Sequence, residues 1–99
     1  MTANRMLSTY RQTEVQSRTP LELVVMLYDA AIQSLELSKR AIDTNEFKDK
    51  ARFLGRAISI VGELDNVLDY EQGGDIAKSL HRLYDYMLAE MTEANARHN

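Results

Sequence analysis

Few residues of this chain are of types that do chemistry, and their spacing decides what each is good for. There are two histidines, His81 and His98. His81 precedes Asp85 by one helical turn, so on a helix the two share a face. A base oriented by a carboxylate would look like this. A surface pair is the more ordinary reading, because no serine nucleophile can be placed beside His81 from spacing and the chain has no cysteine. Acidic residues gather at Glu63, Asp65, Asp69 and Glu71. A di-metal bundle would need Glu-x-x-His pairs, which do not occur, and Asp69 to Asp75 lacks the alternating ligands of a calcium loop. A solvated helix end is expected instead. Gly73-Gly74 could present N–H groups to an anion at a helix start, but reads first as a turn between helices. No phosphate-loop or dinucleotide motif is present. Lys48, Lys50, Arg52 and Arg56 look like the outward face of an amphipathic helix. The chain is therefore expected to be no enzyme, with no cofactor and no metal ligands.

The elements behind these residues are bounded by length and composition. Ninety-nine residues allow one domain. Hydrophobic residues make up 44% and the net charge is −3, which argues against disorder. Twelve basic against fifteen acidic residues is a poor balance for nucleic-acid binding. No apolar run approaches the roughly 20 residues of a membrane helix. The first residues, Met-Thr-Ala-Asn-Arg-Met-Leu-Ser, lack the apolar core of a signal peptide. A cytoplasmic protein without membrane insertion is the expectation.

One proline and four glycines in the whole chain point to long helices. Residues 1–18 are polar and mixed and read as an N-terminal arm. Residues 19–99 read as one helical bundle domain. Thr19-Pro20-Leu21-Glu22 is a helix start, with Thr19 as cap, Pro20 in the first turn and Glu22 completing a capping box. Leu21, Val24, Tyr28, Ala31, Leu35 and Ile42 then recur at helical spacing. Asp43-Thr44-Asn45 offers a break and the next cap. Phe47, Ala51, Leu54, Ile58, Val61 and Leu68 form a second stripe, with Gly55 and Gly62 inside it. Gln72-Gly73-Gly74 is expected to end this helix. Ile76, Leu80, Leu83, Met87, Met91 and Ala94 form the third stripe, widened by Tyr84 and Leu88. Short links make neighbouring helices antiparallel. The apolar arcs are wider than three helices need among themselves, so a further helix, a second copy or a partner is expected to cover the remainder.

Several blocks together resemble one family. Thr19-Pro20-Leu21-Glu22-Leu23, then Met26-Leu27-Tyr28-Asp29, resembles the opening helix of FliS, the flagellar secretion chaperone. So do Ala57-Ile58, Glu63-Leu64 and Leu68-Asp69. The most specific match is Glu71-Gln72-Gly73-Gly74-Asp75-Ile76-Ala77 followed by Leu80 and Leu83-Tyr84-Asp85-Tyr86-Met87, with Ala94-Asn95 closing it.

The resemblance implies an all-α antiparallel bundle that holds the C-terminal segment of flagellin in the cytosol, prevents its premature polymerisation and delivers it to the flagellar type III export gate. It further implies a client surface that includes Leu7 and Tyr10 in the arm and Ile58, Val61, Leu64, Leu80, Leu83, Tyr84 and Met87 on the later helices. Such a client needs long apolar grooves rather than a catalytic pocket. Family members continue past Asn95 with another apolar helix, whereas this chain stops at Asn99. The expected architecture is thus a FliS-like four-helix bundle without its last helix, and the uncovered face would take a second copy as a homodimer. The alternative function is a structural or regulatory bundle that binds another flagellar protein or only itself.

Overall fold

A computed structural model describes residues 19–97. The arm, residues 1–18, lies outside the described residues, and so do Leu7, Tyr10 and His98. Three helices follow one another: α1 (Pro20–Asp43), α2 (Phe47–Asn66) and α3 (Tyr70–Ala96). The described part is all-α. Helix α2 is the middle element, packed against α1 on one side and, less extensively, against α3 on the other.

Helix α1 starts where capping chemistry places it. The Thr19 hydroxyl oxygen accepts the Glu22 N–H at 3.2 Å. The Glu22 carboxylate accepts the Thr19 hydroxyl at 3.1 Å rather than closing the full capping box on the backbone. The helix stops one residue after Ile42, in a Schellman motif. Asn45 takes the left-handed conformation (φ 57°), the Glu46 N–H reaches Ala41 O at 2.8 Å, and the Asn45 N–H reaches Ile42 O at 3.1 Å. Asparagine tolerates this conformation better than other non-glycine residues.

The second reversal differs from expectation. Helix α2 ends at Asn66, and the turn is made by Val67, Leu68 and Asp69. The Asp69 side chain caps the next helix by accepting the Gln72 N–H at 3.0 Å. Gly73-Gly74 therefore lies inside α3, where Gly74 (φ 49°, ψ −124°) kinks the helix after its first turn. A Cβ at Gly73 would stand 2.9 Å from that of Ala77. The two glycines serve the bend rather than the reversal, because the aspartate supplies the helix start earlier. Gly55 and Gly62 face open space, with no close neighbour that requires them.

The core joins all three helices: Ala31 from α1, Leu54, Ala57, Val61 and Leu64 from α2, and Tyr84 and Met91 from α3. Four of these seven come from the middle helix, as its position dictates. Among the described residues eleven large apolar side chains remain exposed, including Leu21 at 73%, Ile76 at 72%, Ile32 at 53%, Val25 at 51% and Leu83 at 50%.

Candidate functional site

The Tyr28 and Tyr84 hydroxyls meet in a hydrogen bond that links α1 to α3 across the middle helix. Tyr84 is buried and Tyr28 is 38% exposed. Burial pushes the Tyr84 hydroxyl well above its ordinary pKa, and its hydrogen bond with Tyr28 adds to this. The Tyr84 hydroxyl stays protonated and neutral, which suits a polar tie inside an apolar site.

His81 does not act with Asp85 alone. Its nearer partner is Asp65 on α2, with Nδ1 to Oδ1 at 2.7 Å, while Nε2 stands 3.7 Å from Asp85 Oδ2. The Tyr70 and His81 rings meet in a T-shaped arrangement, 6.4 Å between centroids. The hydrogen bond to Asp65 raises the His81 pKa, helped by both carboxylates and opposed by solvent loss and by Arg82. Ligating atoms of Asp65, His81 and Asp85 lie within 4.8 Å of one another. Each ring nitrogen already faces a carboxylate, so the cluster is a clasp between α2 and α3 and offers no free base to a nucleophile. Asp65 was hidden from spacing because it lies on another helix.

Lys50 also departs from expectation. It is not on the outward face but 3% exposed. Its ammonium donates to Ala94 O at 3.0 Å and to Arg97 O, the carbonyls at the end of α3. A cation suits the negative pole of a helix, where carbonyls lack partners. Lys48, Arg52 and Arg56 are exposed as expected, and both arginines lie over the Phe53 ring, at 4.6 and 5.6 Å.

The structure divides the expected client-binding residues. Val61, Leu64 and Tyr84 are buried in the core, at 1, 3 and 3% exposure. Ile58, Leu80 and Met87 are half-buried at its edge. Leu83 is exposed. Leu80, Leu83 and Met87 follow Ile76 at helical spacing on α3, so Ile76 extends their row. On α1, exposed Val25 and Ile32 stand one heptad apart, outside the stripe that sequence spacing picked out. Their spacing was visible, but nothing in it separated core from surface. A further open cavity of about 420 Å³ lies where α1 begins and α2 ends, lined by Pro20, Leu23, Val24, Met26 and Leu27 of α1 together with Glu63 and Val67.

This arrangement is a set of half-filled apolar faces on a helical frame, with no catalytic constellation among the described residues. The family described as "Flagellar protein FliS" matches residues 2–99. The chain belongs to the FliS family. Among FliS relatives, it is 36% identical to the flagellar secretion chaperone FliS of Vibrio cholerae, over 94% of this chain and 71% of that one. It is 32% identical to the flagellar secretion chaperone FliSB of Pseudomonas aeruginosa, over 96% of this chain and 79% of that one. The flagellar secretion chaperone FliS of Campylobacter jejuni is 31% identical, over 100% of this chain and 77% of its own. Secretion chaperone is a non-enzymatic role, in keeping with the FliS family frame described above.

Proposed function

We propose that this chain is a cytoplasmic flagellar export chaperone that binds the C-terminal segment of flagellin, keeps it from polymerising early and passes it to the export gate. The observation that carries the reading is the FliS family match over residues 2–99. Two features of the molecule support it. The exposed apolar rows on α1 and α3 are the kind of surface that an amphipathic segment covers as it turns helical. Among the described residues no helix is long and apolar enough to cross a membrane.

On this reading Leu83 is the central anchor. Leu80 and Met87 lie one turn to either side of it, Ile58 contributes from α2, and Leu7 and Tyr10 come from the arm. Val61, Leu64 and Tyr84 act from beneath, as the packed floor on which those side chains stand. A disordered client pays an ordering cost when it binds, so a large apolar surface combines capture with release.

Calorimetric titration of the full chain with a flagellin C-terminal peptide tests the proposal. Saturable heat with a gain in helicity by circular dichroism is expected, weakened by Leu83→Asp. A titration without either signal would end it. The same uncovered faces would take a second copy, and light scattering is expected to show dimers that flagellin peptide dissociates.

A further inference from the structure

The cavity at the α1 start is set apart from the α3 row by its electrostatics. Its walls are Leu23, Val24 and Leu27 on one side and Val67 on the other, with Glu63 the charged residue lining it. From Pro20 to Ser38 the sequence holds no lysine or arginine, and from Ala57 to Ala77 it holds none either. Those two stretches supply both walls. Toward the cavity's end they carry Glu22 and Asp29 on α1, then Glu63, Asp65, Asp69, Glu71 and Asp75 from α2 onward. Asp65 is engaged with His81 and Asp69 with the α3 cap, whereas Glu63 forms no ion pair among the described residues. The exposed cations Lys48, Arg52 and Arg56 belong to the first half of α2, toward the opposite end of the antiparallel bundle, whereas Lys78 and Arg82 stand in the first half of α3, at the cavity's end. Among the described residues acidic groups thus outnumber basic ones at the cavity's end, and the apolar cavity opens there. Such an excess draws cationic groups and turns away anionic ones.

We propose that this cavity docks a basic amphipathic segment of a partner protein. An apolar side chain of the segment seats among Leu23, Val24, Leu27 and Val67, and a lysine or arginine one turn away pairs with Glu63. The apolar contact supplies affinity, and the surrounding carboxylates choose a cationic segment over an acidic one. This goes beyond the flagellin reading, because it concerns α1 and the end of α2 and does not depend on what covers α3.

The test uses the full chain and two fluorescein-labelled model helical peptides read by anisotropy. One carries leucines on one face and lysines on the other; its counterpart carries glutamates in place of the lysines. Neither contains flagellin sequence, so failure here leaves the chaperone reading standing. Saturable binding of the lysine peptide is expected, with the glutamate peptide at least about tenfold weaker. Glu63 is exposed, so Glu63→Gln and Glu63→Lys are expected to keep the fold by circular dichroism. They should weaken the lysine peptide by about threefold and about tenfold respectively. Equal affinity for both peptides, no binding, or no response to either Glu63 variant would overturn the proposal. Binding that emerges only after Arg5, Arg11 and Arg18 are changed to glutamine would give the cavity to this chain's own N-terminal segment instead. A dimer that Glu63→Lys dissociates would give it to a second copy. Both outcomes overturn the proposal.

Discussion

At the end of the bundle where α1 turns into α2, backbone groups find partners within the chain. The Schellman motif at Asn45 closes the α1 carbonyls, and the Lys50 ammonium closes those of α3. At the other end, where α1 starts and α2 turns into α3, the molecule is open. A cavity stands between Leu23 and Val67, Leu21 and Ile76 are exposed, and α3 bends at Gly74 before it runs straight. One end is finished by hydrogen bonds and the other left apolar and negative. A chaperone needs both: a fixed frame, and surface whose partner comes from elsewhere.

The sharpest way to break this contrast is at Lys50. Lys50→Met keeps the apolar stem and removes the donor, which leaves the Ala94 and Arg97 carbonyls without their ammonium partner. The expected loss is about 2–3 kcal/mol of unfolding free energy by urea denaturation. A loss below about 0.5 kcal/mol would mean that the closed end is not held this way. At the open end, Gly74→Ala forces a side chain into a conformation that glycine adopts freely. It is expected to cost about 1–2 kcal/mol in the same assay, and neutrality would show that the bend is not needed.

The smallest effect belongs to the His81 clasp. Its pKa is raised in the folded chain, chiefly by the hydrogen bond to Asp65. Protonation therefore favours folding. The contribution is fully present below the ordinary value of 6.5 and fades as pH rises through the raised one. Between about pH 6 and about pH 8 the urea midpoint should fall slightly, and His81→Gln should remove that part of the fall. An unchanged pH dependence in the variant would show that the clasp contributes nothing.

Much of the frame was legible because it is local. Thr19-Pro20 and the polar break after Ile42 announce their helix ends through backbone chemistry within a few residues. The Gly-Gly pair misled, because adjacent glycines serve a bend as well as a reversal, and Asp69 had already supplied a cap. Lys50 was unreadable for a different reason. A lysine among exposed cations looks solvated until a distant helix end arrives to use it, and Ala94 is 44 residues away. The same limit applies to the candidate site. Periodicity placed Val61, Leu64, Leu83 and Tyr84 on apolar faces, but whether a face meets another helix or solvent depends on how three helices are arranged. Leu83 and Tyr84 are neighbours in sequence, yet one is half exposed and the other buried.

On the proposed function, the open apolar faces hold flagellin while the finished end serves as frame. Amide hydrogen exchange of the full chain, with and without a flagellin C-terminal peptide, tests it most directly. New protection is expected along Ile76–Met87 and at Ile58, with the Asn45 turn and the Lys50 contact unchanged. Protection confined to the Asn45 end, or no protection at saturating peptide, would contradict it.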